Sequence, residues 1–123
     1  MSKKILIADD EPHTLRVAEL SLKKGAFQIL LARNGREAVD LAIREKPNLV
    51  VLDVVMPEID GFAALRELKA NPDTAGIPVI MLTARGQAVA REEAAHSGAA
   101  LYLTKPFSPS QLLAEAKRAM GVT

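Results

Sequence analysis

Five residues of this chain carry groups that could do chemistry together, and each stands at or just past the end of an apolar run. Asp9 and Asp10 follow Lys4–Ala8, Asp53 closes Leu49–Asp53, Thr83 closes Val79–Thr83, and Lys105 follows Ala100–Thr104. Carboxylates gathered in one crevice repel each other, and a hard divalent cation relieves the repulsion. Mg²⁺ prefers oxygen ligands, typically one or two carboxylates plus a phosphate oxygen. On that chemistry Asp10 and Asp53 are the natural direct ligands, Asp9 can act through a bound water, and the backbone carbonyl of Val55 can complete the protein's share. A carboxylate oxygen of Asp53 could attack phosphorus as a nucleophile. Phosphoryl transfer then needs charge neutralised around the transferred group, which the Thr83 hydroxyl and the Lys105 ammonium can help supply. Ala84 is small and leaves an approach path for a donor.

Each residue taken alone has a plainer reading. Asp10 could be the N-cap of a first helix, with Pro12 in its first turn. Asp53 could merely terminate a strand, Thr83 could be an ordinary strand residue, and Lys105 a solvated lysine. The functional reading rests on the set: four strand ends that present compatible groups.

The elements that must position these groups are of two kinds. Short runs rich in β-branched and aliphatic residues are Lys4–Ala8, Phe27–Ala32, Leu49–Asp53, Val79–Thr83 and Ala100–Thr104. Between and after them apolar residues recur at helical spacing: Leu15, Ala18 and Leu22; Ala38, Leu41 and Ala42; Leu65 and Leu68; Leu112, Leu113 and Ala116. Gly25, Gly35, Pro47, Gly61, Asn71-Pro72, Gly76, Pro78, Gly98 and Pro106 punctuate the sequence as breakers. The alternation predicts a (βα)5 α/β fold, a doubly wound five-stranded parallel sheet covered by helices on both faces. In such sheets ligands bind beyond the carboxyl ends of the strands, where all five residues would lie.

The bulk properties narrow the function classes. A length of 123 residues fits one domain, read as 1–123, and 49% hydrophobic residues are enough for a core. A net charge of +1 gives no electrostatic footprint for direct nucleic-acid binding, and 3% aromatics give no stacking platform. The absence of cysteine excludes disulfides and thiolate metal sites. The apolar stretch Ile5–Ala8 is too short for a signal sequence, and no uncharged run approaches the roughly 18 residues of a membrane span. The expectation is a cytoplasmic protein without membrane contact. His13 and His96 lack a paired ligand at helical spacing and read as structural, and Lys23-Lys24 reads as a solvated helix C-terminus.

The order of these residues resembles the receiver domain of two-component response regulators, the CheY-like domain. The resemblance spans essentially the whole chain: Asp9-Asp10, Leu52-Asp53, Met56-Pro57, Asp60-Gly61, Thr83-Ala84, Gly98-Ala99, and Tyr102 through Lys105-Pro106-Phe107. It implies a flavodoxin-like sheet of order 2-1-3-4-5. It implies that Asp53 takes a phosphoryl group from a sensor histidine kinase, a phosphotransfer protein or a small phosphodonor. It implies Mg²⁺ at Asp9, Asp10, Asp53 and the Val55 carbonyl, and a cis bond before Pro106. It implies a switch in which Thr83 moves toward the phosphoryl group and Tyr102 turns inward. The readout is then a face for a downstream protein target, made of a fourth helix (about Gln87–Ser97), the fifth strand and a fifth helix (about Ser108–Met120). Such a domain is a monomer or a phosphorylation-dependent dimer, and its only reaction is its own phosphorylation and dephosphorylation.

Two flanking positions could tune the lifetime of the phosphoryl group: Val55, which offers no side-chain hydrogen bond to a hydrolytic water, and Arg85, which could shield the group or pair with Glu58. Ala100 and Leu101 stand where an acidic residue is common in the family, so the fifth strand begins as either an exposed apolar patch or a buried one. A Mg²⁺-dependent phosphatase of the haloacid-dehalogenase type would want an Asp two residues after the nucleophile, where Val55 stands. A flavodoxin-like cofactor carrier would want Ser, Thr and Gly after the first strand, where Asp9-Asp10-Glu11 stands. A stand-alone regulator is the favoured context; the alternative is an N-terminal receiver from a longer regulator with DNA-binding or enzymatic output.

Overall fold

The strands sort their side chains by parity, and that sorting builds the protein. Leu6, Ala8, Val50, Leu52, Val79 and Met81 face one layer of helices, while Ile5, Ile7, Leu49, Val51, Ile80 and Leu82 face the other. Burial on both faces is why these runs are continuously apolar rather than alternating. The computed structural model describes residues 3–84 and 98–122. Arg85, His96 and the expected helix at about 87–97 lie outside the described residues.

The strands are β1 (Lys4–Ala8), β2 (Gln28–Ala32), β3 (Leu49–Asp53), β4 (Val79–Ala84) and β5 (Leu101–Lys105). They form one parallel sheet in the order β2-β1-β3-β4-β5. The described helices are α1 (Pro12–Lys23), α2 (Gly35–Glu45), α3 (Gly61–Ala70) and α4 (Pro109–Met120), the last being the expected fifth helix. Leu15, Ala18 and Leu22 of α1 pack with Leu112 and Ala116 of α4 on one face of the sheet. Ala38, Val39 and Ala42 of α2 pack with Ala64, Leu65 and Leu68 of α3 on the other. Each fully buried Leu or Ile on these stripes contributes roughly 1.5–3 kcal/mol over its exposed state.

Local signals set the ends of the helices. Asn34, Asp60 and Ser108 cap α2, α3 and α4, their side chains accepting the amide hydrogens of Glu37, Ala63 and Gln111. Lys46 and Gly121 end α2 and α4 in the left-handed region, at φ 48° and 71°. Helix α1 differs from expectation: its N-cap is Glu11, not Asp10, and no side chain caps it. The reason is Asp9, whose Oδ1 accepts the Glu11 amide hydrogen at 2.9 Å and so turns the chain one residue later.

Two glycines expected to break the chain instead begin helices. Gly35 and Gly61 are the first residues of α2 and α3, both buried against the β3–α3 loop. The start of β5 resolves both ways. Leu101 is half-buried against the α1/α4 core, whereas Ala100 beside it is exposed, so the two residues divide between packing and surface. Among the described residues no helix is long and apolar enough to cross a membrane.

Candidate functional site

Parity also assembles the charged cluster. The alternation that puts Ile7, Val51 and Leu103 on the α1/α4 face puts Asp9, Asp53 and Lys105, two residues further along each strand, on the same side at the carboxyl edge of the sheet. In the order β2-β1-β3-β4-β5, β1 is the strand from which the chain winds outward in both directions, and the cluster sits at this switch point.

Asp9 is 1% exposed. Its amide donates to the Ala32 carbonyl at 3.1 Å, continuing the β1–β2 ladder beyond the strand. Asp53 is 7% exposed at the end of a wholly buried strand. Asp10 is exposed. Carboxylate oxygens of Asp9, Asp10 and Asp53 all lie within 4.8 Å of one another. Lys105, the last residue of β5, places its Nζ 2.8 Å from Asp9 Oδ2 and 3.0 Å from Asp53 Oδ1. The approach to Asp9 Oδ2 is an ion pair off the hydrogen-bond direction, for that oxygen receives no directional donor among the described residues. The Lys105–Pro106 peptide bond is cis.

The electrostatics follow from this packing. Burial pushes the Asp53 carboxyl up to about 6; the neighbouring Asp9 charge adds to the rise, Asp10 adds less, and Lys105 opposes it. Burial also works against the Lys105 ammonium, but Asp9 and Asp53 outweigh it and hold its pKa above the usual lysine value. One ammonium thus faces three carboxylates, and the cluster carries uncompensated negative charge.

Thr83 closes the same edge from β4. It is 1% exposed, and its Oγ1 has no hydrogen-bond partner among the described residues. A buried hydroxyl without a partner is costly and needs an explanation. Tyr102 pairs in register with Met81, two residues before Thr83, and is half-buried against the α2/α3 core on the Thr83 side of the sheet. Val55 has a 63% exposed side chain between buried Val54 and Met56.

Two concavities matter to the reading. A groove of about 450 Å³, lined by Thr14, Val17, Lys105 and Phe107 among others, opens directly beside the cluster. A larger one of about 520 Å³ lies along α2, lined by Arg36, Asp40, Arg44 and Glu58 among others. The second is an open charged surface whose Arg36 is already paired with Glu67 at 2.8 Å, so the smaller groove is the one that bears on the chemistry.

A sequence profile of the response regulator receiver domain matches residues 5–117. The chain belongs to the response regulator receiver family. It is 46% identical over 110 residues to "Probable transcriptional regulator ycf27" of Galdieria sulphuraria, covering 89% of this chain and 42% of that one. It is 39% identical over 117 residues to transcriptional regulatory protein SrrA of Staphylococcus aureus, covering 95% of this chain and 47% of that one. The chain therefore spans less than half the length of these relatives. Among solved structures it superposes on the receiver domain of sensor histidine kinase PA1611 from Pseudomonas aeruginosa with a TM-score of 0.91 and 30% identity. That match covers 98% of this chain and 99% of the other, whose active-site cleft holds a magnesium ion.

Receiver domains are phospho-accepting modules of two-component signalling that work with histidine kinases or phosphotransfer proteins and bind Mg²⁺ in the active site. The cluster in this chain fits that ion. Its donors are all oxygens, the set that hard cations select, and one lysine does not neutralise them.

Sequence reasoning did not foresee two features of the site. Lys105 bridges Asp9 as well as Asp53, and no spacing rule reports a contact between side chains of β1 and β5. The second is the closeness of Gly61 to Asp53. A glycine at the first position of a helix, just after an Asp cap, was the available signal, because that position otherwise favours better helix formers.

Proposed function

We propose that Asp53 is the phospho-acceptor of this receiver domain, and that its phosphorylation switches the Thr83–Tyr102 side of the sheet. The observation that carries the reading is the convergence at one edge: a buried carboxylate in contact with a lysine, within 4.8 Å of two further carboxylates, with a buried hydroxyl that has no partner among the described residues at the end of the adjacent strand.

In the reaction, a carboxylate oxygen of Asp53 forms a bond to phosphorus as the bond from phosphorus to the donor's imidazole nitrogen breaks. The imidazole keeps the electron pair and is protonated from solvent. Asp9, Asp10, Asp53 and the Val55 carbonyl would hold Mg²⁺, which supplies charge neutralisation to the phosphoryl oxygens. Lys105 then moves from its two carboxylates to pair with a phosphoryl oxygen, and Thr83 Oγ1 donates to another. This gives the buried hydroxyl a partner that none of the described residues offers it. A protein donor reaches Asp53 along the groove between Thr14, Val17 and Phe107.

Movement of Thr83 frees space beside Tyr102, and the ring follows it inward. The readout face comprises β5, α4 and the segment 87–97, the last outside the described residues. This is a population shift biased by new acceptor oxygens. The exposed, apolar Val55 side chain gives a hydrolytic water nothing to hold, so the phosphoryl group is lost slowly. The domain acts in the cytoplasm as a phosphorylation switch rather than as a turnover enzyme.

Incubation with Mg²⁺ and a small phosphodonor, followed by intact mass, tests the reading. One phosphoryl group should add, and chelation of Mg²⁺ should prevent it. No addition, or addition that survives chelation, would reject it.

A further inference from the structure

The backbone just after Asp53 is held by a feature that carries no functional group. The Val54 amide donates to the Leu82 carbonyl at 3.1 Å, and the Val54 carbonyl accepts the Gly61 amide hydrogen at 2.8 Å. Val54 is thus fixed on both sides, by β4 and by the first residue of α3. Met56, two residues on, is buried at 8% exposure. Val55 lies between these two held residues.

Gly61 makes this arrangement possible. A Cβ at position 61 would overlap the Asp53 carbonyl oxygen and would crowd Val54 Cα at 2.9 Å. The obstructing atoms are backbone, which cannot swing away as a side chain tip can. Gly61 has no positive φ that would call for glycine on conformational grounds. The need is for space: α3 begins in contact with the backbone of the candidate phospho-acceptor.

We infer that Gly61 is a positioning residue for the metal site. Its missing side chain lets the N-terminus of α3 rest on the Asp53–Val54 backbone, and this aims the Val55 carbonyl into the acidic cluster. Asp60 reinforces the placement by capping α3 through the Ala63 amide at 2.8 Å. The inference rests on the reading of Asp9, Asp10, Asp53 and Val55 as Mg²⁺ ligands.

Mg²⁺ binding measured by isothermal titration calorimetry, with far-UV circular dichroism and thermal melting in chelator, tests it. Gly61→Ala should lower the melting temperature in chelator while keeping the far-UV spectrum of the metal-free fold, and should weaken Mg²⁺ binding about tenfold, the size expected when the support of a ligand is lost. Gly76→Ala, where an added Cβ meets nothing within 4 Å, should bind as the wild type does. Metal affinity within twofold of wild type in Gly61→Ala overturns the inference. Should Gly61→Ala not fold, Asp60→Ala and Asp60→Asn decide it. Loss of the cap in the alanine variant should weaken Mg²⁺ binding severalfold, and asparagine, which caps without charge, should restore it. Equal binding by these two variants overturns the inference. Failure of the wild type to bind Mg²⁺ would instead reject the underlying reading of the site.

Discussion

Lys105 Nζ lies 2.8 Å from Asp9 Oδ2 while also lying 3.0 Å from Asp53 Oδ1, so one ammonium holds the two buried carboxylates of the site. Both oxygens belong to residues that would face a divalent cation. The ammonium and the metal are therefore competitors for the same charge, and the proposed switch needs the lysine to leave one partner for another.

Lys105→Ala should accordingly leave Mg²⁺ affinity unchanged or tighten it by a few fold, while weakening the conformational response to phosphorylation. A charge at about 3–4 Å in a partly buried site is worth on the order of a few kcal/mol before solvation is counted, ample for that change. Calorimetric titration checks the affinity. Weaker metal binding in the alanine variant would mean that Lys105 supports the metal site instead of competing with it.

Asp53 is more readily protonated in the folded protein, at about 6, than in the unfolded chain at 3.8. The folded state then holds a proton that the unfolded state has released, so stability is greatest below about 4 and is lost as pH rises through 6. In chelator, Asp53→Asn should be more stable than wild type at pH 7.5 by about 1–3 kcal/mol, and the gain should vanish near pH 4. Urea unfolding at the two pH values measures it. A less stable variant at pH 7.5 would show that the carboxylate stabilises the metal-free site.

Thr83 Oγ1 is buried with no hydrogen-bond partner among the described residues. Thr83→Val keeps the shape and removes the hydroxyl, so the unphosphorylated protein should gain up to about 1 kcal/mol or stay level. The phosphorylated form should lose the donor that Oγ1 provides, and its difference from the unphosphorylated form in hydrogen exchange around β4 and β5 should shrink. A loss of more than about 1 kcal/mol in the unphosphorylated state would show that the hydroxyl is already bonded there.

Val55 is 63% exposed and apolar at the mouth of the site. Val55→Asn supplies a group that can orient water by hydrogen bonding and should speed phosphoryl loss by up to about tenfold, the worth of one added hydrogen bond. The decay of the phosphorylated species by mass spectrometry measures it. An unchanged or slower rate would reject the role given to Val55.

Much of this was legible in the sequence because parallel strands buried on both faces write themselves as runs such as Leu49-Val-Val-Leu, and because chemistry in such sheets gathers at strand ends. The residual differences have local causes. The apolar run predicts strand from Phe27, yet β2 starts at Gln28, since Phe27 lies over Gly25 in the preceding turn. Strand β5 starts at Leu101 instead of Ala100, although the Ala100 amide already donates to the Val79 carbonyl at 2.9 Å. Asp10 gave up the N-cap position because Asp9 captured the Glu11 amide. Gly35 and Gly61 carry the signature of breakers, whereas both serve close approach to backbone, Gly35 to that of Ile59 and Gly61 to that of Asp53 and Val54. Contacts between distant strands, such as Lys105 with Asp9, leave no periodic trace at all.

The central claim is that the phosphoryl group resides on Asp53, and the most direct measurement is to locate it. Borohydride reduction of the phosphorylated protein converts an aspartyl phosphate to homoserine, which peptide mass spectrometry assigns to a residue. The mark should fall at residue 53 and nowhere else, and a mark at Asp9, Asp10 or any other position would contradict that placement.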